Sequence, residues 1–377
     1  MLESLSITNF KGFRSLELPL RPLTLLSGLN GMGKSSVLQS LLLLRQSYLQ
    51  RSVVTNPDRP RLVLNGDLVQ LGTAEDVFFK GENEGTLTFS IVYSGEEFTW
   101  SYLYQQGSNA LRLESFQPST LFSLDELSLF SDEFQYLQAE RLGPRVSYEM
   151  SDYLVRERQQ LGSKGEYTAH FLQYWTLNAD TPRTVSEAMH HPNEKSPLLL
   201  NQVTAWMSEI SPGTRIETTP IEGTDLMRLR FGFGNSDLFR PTNVGFGITY
   251  TFPVIVALLS SQPQALVLIE NPEAHLHPKG QSKIGELVAR AANSGVQVIL
   301  ETHSDHVLNG IRLAARNELI ESNKVALHFF QRFQEEGISL VEVLTPELDD
   351  DGRLDFWPDG FFDQWGKSLD QLLKKGN

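Results

Sequence analysis

Residues Gly28-Leu29-Asn30-Gly31-Met32-Gly33-Lys34-Ser35 fit the pattern G-x-x-x-x-G-K-[ST] without a gap. These residue types at this spacing suit one task, which is cradling the phosphates of a nucleotide. Glycines let the backbone curl until its N–H groups point inward at phosphate oxygens. Lys34 adds a positive charge within reach of the β- and γ-phosphates, and Ser35 offers a hydroxyl to Mg²⁺. A second candidate is Glu270, at the end of the apolar run Ala265-Leu266-Val267-Leu268-Ile269. An acid at the carboxyl end of a buried parallel strand, beside a phosphate loop, orders Mg²⁺ and its waters, the Walker B arrangement. Aspartate is the usual residue there. A third is His303 in Glu301-Thr302-His303-Ser304-Asp305, which follows the run Val296–Leu300. A histidine just beyond the neighbouring strand can hydrogen-bond a γ-phosphate or an attacking water. Upstream, Asn243-Val244-Gly245-Phe246-Gly247 is a glycine-containing turn that opens a helix, 23 residues before the acid (270 − 247).

These groups need strands and helices to hold them. Leu23–Ser27 is an apolar run of strand length, and Ser36–Leu44 reads as a helix whose N-terminus faces the bound anion. Strand, glycine loop and helix in succession are the context that supports the motif. Before them, Leu2–Ile7 and Leu16–Leu20 alternate apolar and polar residues as half-buried strands do. Thr86–Tyr93 and Glu97–Tyr102 alternate as well, with Ser94-Gly95-Glu96 as the turn of a β-hairpin. A polar loop is expected over 51–61. From about Phe116 to Gly213 strand signals fade, and 184–190 and 197–210 look helical. Strands resume at 215–218 and 226–231. An α/β pattern then follows, with helices over 250–259 and 279–292 and strands over 265–269 and 296–300. The expected division is an N-terminal lobe over 1–115, a helical insertion over 116–213 and a C-terminal lobe over 214–377.

Bulk properties narrow the function. The 377 residues carry 21% charged and 40% hydrophobic side chains, ordinary values for a globular protein. A net charge of −14 argues against a basic surface that coats nucleic acid. With no cysteine, disulfides, thiol nucleophiles and cysteine-based zinc sites are excluded. The N-terminus has no positive region ahead of an apolar stretch, and no apolar run approaches the length of a membrane span, so a cytoplasmic protein is expected.

Taken together, I-T-N-F-K-G-F…L-T-L-L-S-G-L-N-G-M-G-K-S-S-V-L, L-V-L-I-E-N-P-E-A-H-L-H-P and E-T-H-S-D resemble the ABC-type ATPases of the RecF/SMC-like and OLD-family group. Bacterial AAA-type ATPases of anti-phage defence operons, the Septu ATPase among them, are similar in the same segments. The resemblance covers about residues 1–105 and 235–310. Within the rest, Ala139-Glu140-Arg141-Leu142-Gly143-Pro144 is similar to a segment of those ATPases. It implies an α/β P-loop head, a mixed and parallel sheet with flanking helices and an N-terminal antiparallel β lobe, interrupted by the insertion. It also implies ATP and Mg²⁺ as ligands, and two heads sandwiching two nucleotides as a homodimer. Carried over, Asn30, Gly31, Met32, Gly33, Lys34, Ser35 and Ser36 bind phosphate. Ser35 and Glu270 stand on the Mg²⁺ side, His303 is the switch, and Asn243, Gly245 and Gly247 meet the γ-phosphate from the partner head. Gln70 in Leu68-Val69-Gln70-Leu71-Gly72 is either the glutamine that senses Mg²⁺ or a loop residue.

Two positions depart from the family. Gly245 stands where the signature turn usually has serine, so backbone N–H groups or Asn243 must make the contact. Asn271 stands where the catalytic glutamate usually follows the Walker B acid, and an amide cannot take a proton from water as a carboxylate can. Either Glu273 or Glu270 is then the base, or hydrolysis is slow and ATP acts mainly as a dimer clamp.

Other signals have plainer readings. His275-x-His277 and His303-x-x-His306 have metal-ligand character, but both pairs lie within ATPase segments, where they shape the dimer-facing loop. Asp349-Asp350-Asp351 reads as a solvated acidic turn. The 74 residues after His303 (377 − 303) are too few for the nuclease domain of full OLD proteins. Lys11 and Arg14 flank Phe13 near the phosphate loop, either touching phosphate or the partner head or merely shaping a loop. The aromatic stretch Phe356–Trp365 either packs back on the core or docks a partner. The expected function is an ATP-hydrolysing head that dimerises around nucleotide and regulates a separate effector, such as a nuclease, in antiviral defence. The alternative is a RecF/SMC-like repair ATPase that clamps DNA directly. A transporter subunit and a metabolic kinase fit the motifs less well.

Overall fold

A computed structural model describes residues 1–50, 60–80, 85–117, 124–178, 180, 182–335 and 338–373. The loop expected over 51–61 lies almost wholly outside these. The chain divides into two compact units: residues 1–131, 326–347 and 354–377 form the first, and residues 132–325 and 348–353 the second.

In the first unit, six strands pair antiparallel in the order Phe13–Pro19, Leu2–Phe10, Thr86–Tyr93, Glu96–Leu103, Ala110–Gln117, Arg61–Val63. Period-two alternation sends Leu5, Ile7, Leu87, Phe89, Ile91, Phe98, Trp100 and Tyr102 into the core, all fully buried. The expected hairpin is present, with Ser94 and Gly95 at positive φ in its turn. Leu23–Gly28 lies in a second set of strands, ordered Ile338–Leu344, Val325–Glu335, Leu23–Gly28. From Leu23–Gly28 the chain passes through the glycine loop into the 16-residue helix Lys34–Leu49. Leu38 and Leu41 to Leu44 of that helix are all wholly buried, so it is covered on nearly every side.

In the second unit, Gln297–Glu301, Leu266–Glu270 and Phe134–Leu137 form a parallel set in that order. Their near-continuous apolar runs are those of strands buried on both faces. Helices Phe246–Ser260, Pro278–Asn293 and Asp305–Arg316 accompany them. The last two approach closely because Gly285 and Gly310 lack side chains. A Cβ would stand 2.2 Å from the Val307 carbonyl oxygen at Gly285, and 2.1 Å from that of Ser282 at Gly310. Among the described residues no helix is long and apolar enough to cross a membrane.

The stretch expected as a helical insertion differs from that expectation. Its start, up to Ser131, belongs with the first unit, because the buried Arg45 guanidinium donates to the carbonyls of Leu129 (2.7 Å) and Ser131 (2.9 Å). Phe134–Leu137 is a strand of the parallel set, in register with Leu266–Ile269. Helix appears at Thr168–Gln173 and Leu199–Ile210, while 187–189 is a single 3₁₀ turn. The C-terminal stretch is likewise shared, since 326–347 and 354–373 return to the first unit. A four-residue strand carries too little periodicity to be read from sequence.

Candidate nucleotide-binding site

The first unit supplies the phosphate loop. Gly28, Gly31 and Gly33 all have positive φ, at 136°, 75° and 101°. At Gly28 a Cβ would sit 2.3 Å from the Phe330 carbonyl oxygen, and at Gly33 it would meet the Phe13 ring at 2.7 Å. Only glycine fits either place. Phe13, from the expected Lys11–Arg14 loop, thus packs under the phosphate loop, and the Lys11 ammonium bonds Gln39 on the following helix. Lys34 is buried, and its Nζ donates to the carbonyls of Gly28 (2.9 Å) and Leu29 (2.8 Å), folded back over the loop it closes. Asn30 and Gly31 are exposed at the mouth, Met32, Ser35 and Ser36 partly so. Curled glycines, a lysine in the loop and a helix N-terminus behind it suit a nucleotide's phosphates.

Gln70 falls elsewhere. The backbone N–H groups of Leu68 and Val69 donate to Gln46 Oε1, both at 3.0 Å, which ties this loop near the far end of the helix. Gln46 lies 11 residues beyond Ser35 (46 − 35), about 16 Å along the axis. Gln70 is exposed there, and the loop-residue reading is the one its surroundings favour.

The second unit carries Glu270, Glu273 and His303. Both Glu270 oxygens are engaged: Oε1 accepts from the Tyr136 hydroxyl (2.8 Å) and Oε2 from the Ala139 N–H (3.0 Å). Each keeps a further lone pair for a metal or its water. Burial, and after it the Glu270 charge, pushes the Tyr136 phenol far above its ordinary range, so it stays a donor. Asn271 turns through φ 45°, its N–H donates to the Glu301 carbonyl (2.8 Å), and its buried Oδ1 has no partner. Glu273 reaches the next strand end: Oε2 accepts from the Thr302 hydroxyl and Oε1 from the His303 N–H, both at 2.8 Å. The carboxylate therefore holds the turn that carries His303, whose side chain is exposed.

Gly247 abuts the same region, since a Cβ there would lie 2.5 Å from the His275 carbonyl oxygen. His275 packs its ring on Tyr250 (4.8 Å) and Phe246 (5.5 Å), and the His277 side chain caps the next helix. Neither histidine joins a cluster: among the described residues no three His, Asp or Glu side chains stand together as metal ligands. Asp349, Asp350 and Asp351 lie exposed in a turn. Asn243, Gly245 and Phe246 are exposed, and no side chain caps the 15-residue helix that Gly245 opens.

Two residues of this site were not singled out from sequence. Tyr136 gives no signal there. Arg141 lies in the A-E-R-L-G-P segment, where only the resemblance pointed. It is buried, and its guanidinium donates to the carbonyls of Gln138 (3.0 Å), Tyr250 (3.1 Å), Glu270 (2.6 Å) and Asn271 (2.7 Å). Burial lowers its pKa to about 10, with Glu273 acting the other way, so it remains charged at neutral pH.

Comparison with known proteins finds ATPase models, nuclease relatives and similar folds. An "AAA ATPase domain" model matches residues 1–111, and a model described as "AAA domain, putative AbiEii toxin, Type IV TA system" matches 194–309. A protein family of unknown function (DUF3696) matches 320–372. The Old nuclease of Escherichia phage P2 is 25% identical over 347 residues, covering 82% of this chain and 57% of its own. The OLD nuclease of Thermus scotoductus is 24% identical over 330 residues, covering 81% and 59%. The chain thus spans less than two thirds of these relatives. Among solved structures, an Smc head bound to the C-terminal winged-helix domain of ScpA superposes with a TM-score of 0.53 at 13% identity, over 91% of this chain and 97% of that one. An Smc head with an extended coiled coil, bound to the C-terminal domain of ScpA derived from Pyrococcus furiosus, gives 0.52 at 13% identity over 99% of both. The fold and the motif set define an α/β P-loop ATPase of the ABC type. The AAA models and the OLD relatives support an ATPase similar to the OLD/RecF/SMC-like group.

Proposed function

We propose that two copies of this chain close around ATP, and that the closed pair signals to a separate effector protein. The phosphate loop of one copy and the Asn243–Gly247 turn of the other would hold the same triphosphate. The observation that carries this reading is the state of that turn. Asn243, Gly245 and Phe246 are exposed, Gly245 has open space around it, and the helix behind it has no side-chain cap. A helix start of this kind attracts phosphate.

Mg²⁺, when bound, neutralises charge that develops on the phosphates. Ser35 and Glu270 are the residues suited to hold it. Lys34 binds the β- and γ-phosphates. Glu273 holds the His303 turn, and the exposed His303 would bond the γ-phosphate or the water that attacks it. Asn271 offers no base, so positioning and charge would do most of the work and turnover would be slow. We place this activity in the cytoplasm. The resemblance to ATPases of anti-phage defence operons favours a role in antiviral defence, and the relatives' names favour a nuclease as one class of effector.

Molar mass by light scattering, with and without ATP and Mg²⁺, tests the clamp. A doubling of mass with ATP, absent in Lys34→Ala, is expected; an ATP-independent mass would overturn it. The relatives' names also favour a second reading, in which the chain acts on DNA itself. Salt-sensitive, ATP-dependent DNA binding or cleavage by the purified chain would select that reading.

A further inference from the structure

The segment from Tyr136 to Gly143 runs from the acid to the glycine-turn helix and touches both. At the acid, the Tyr136 hydroxyl and the Ala139 N–H hold the two oxygens of Glu270. Arg141 then spends its donors on main-chain carbonyls of two elements. Glu270 and Asn271 belong to the acid-bearing turn, and Tyr250 lies in the second turn of helix Phe246–Ser260. Three residues beyond Tyr250 stands Pro253, inside the helix, where the missing N–H interrupts the hydrogen-bond ladder. Gly143 lies against the same helix, where a Cβ would meet Phe246 at 3.2 Å and Tyr250 at 3.5 Å. A buried guanidinium with carbonyl acceptors on its own segment, the acid-bearing turn and the helix fixes their spacing as no lysine could, because the planar fork sets the directions.

We propose that Tyr136 and Arg141 are positioning residues for the metal side of the nucleotide site. Tyr136 orients the Glu270 carboxylate, and Arg141 ties that orientation to the helix that opens at Asn243–Gly247. Contact at that turn is thereby felt at the acid. This rests on the ATPase reading above and adds how one of its parts is held. Partners of metal-site carboxylates generally matter almost as much as the carboxylates, at about 10- to 100-fold in metal affinity or activity.

The test compares wild type, Lys34→Ala, Tyr136→Phe and Arg141→Lys by binding of a fluorescent ATP analogue in EDTA and by Mg²⁺-dependent turnover. Tyr136→Phe keeps the ring and removes only the hydroxyl, so it is expected to fold; melting temperatures check both variants. The expected result is metal-free nucleotide binding within about twofold of wild type, with a rise of about 10-fold or more in the Mg²⁺ needed for half-maximal turnover. In Arg141→Lys kcat should fall with KM little changed. Suppose Lys34→Ala loses nucleotide while Tyr136→Phe and Arg141→Lys respond to Mg²⁺ as wild type does. The positioning proposal is then overturned and the nucleotide site stands. If Lys34→Ala binds nucleotide as wild type does, the ATPase reading of the loop fails, and this proposal fails with it.

Discussion

Lys34 is buried along its stem, and its ammonium bonds two carbonyls of the loop it closes. Phosphate must compete for that ammonium, and a hydrogen bond to a charged group is worth ~1.5–3 kcal/mol. Lys34→Ala should therefore weaken ATP binding by about 10- to 150-fold, as measured by fluorescence titration. At Glu273 both oxygens accept hydrogen bonds, and an amide nitrogen accepts none. Glu273→Gln should release either Thr302 or the His303 N–H, at a cost of ~1–3 kcal/mol to that turn. Turnover should fall while ATP binding persists; unchanged turnover would show that the bonded turn is dispensable. His328 gives a pH dependence. Its Nε2–H donates to the Pro19 carbonyl (2.9 Å) and Nδ1 accepts from Thr345 (3.0 Å). Burial drives its pKa down to about 4. The unfolded chain then binds this proton first, so stability should be lost as pH falls from about 6.5 to about 4, by on the order of 3 kcal/mol. His328→Gln should flatten that slope in urea denaturation across this range.

Elements are placed by glycine as much as by leucine. Helices Pro278–Asn293 and Asp305–Arg316 meet at Gly285 and Gly310, where any Cβ would strike a main-chain carbonyl of the other helix. Gly310→Ala must push the helices apart, with a loss of ~1–3 kcal/mol or more. A denaturant midpoint equal to wild type would contradict that close approach. Gly31→Ala is the contrast, since nothing lies within 4 Å of its Cβ position and only the positive φ resists the change. At the C-terminal end, Phe361 is wholly buried against Phe329 (5.4 Å), whereas Phe356 and Trp357 are exposed. The packing reading holds for Phe361. The side chain of Trp365 lies outside the described residues.

For the whole molecule, ligand binding and stability are linked. ATP with Mg²⁺ at 100 times its Kd should stabilise the fold by ~2.7 kcal/mol, and Lys34→Ala, binding about 10- to 150-fold more weakly, should cancel about half to nine-tenths of it. A thermal shift clearly smaller in the variant than in wild type is the expected outcome; equal shifts would place the ligand elsewhere. The formal charge of −14 argues against a generally basic surface and leaves room for a local basic patch.

From the sequence alone came the phosphate loop, the acid after its apolar strand, the glycine turn and most helices and strands of the α/β pattern. Each is local: a loop that needs glycine, a strand buried on both faces or a helix with a long apolar surface writes its requirement into consecutive residues. Tertiary structure decided what depends on residues far apart in the chain. It drew Phe134–Leu137 into the parallel set, returned 326–347 to the first unit, and set Gln70 at the far end of the helix. It brought Tyr136 and Arg141 onto Glu270, 134 and 129 residues away. A buried tyrosine or arginine looks the same in sequence whether it meets a carboxylate, a carbonyl or nothing. Only the path of the chain chooses its partner, because hydrogen bonds act over 3 Å in space and leave no spacing along the sequence.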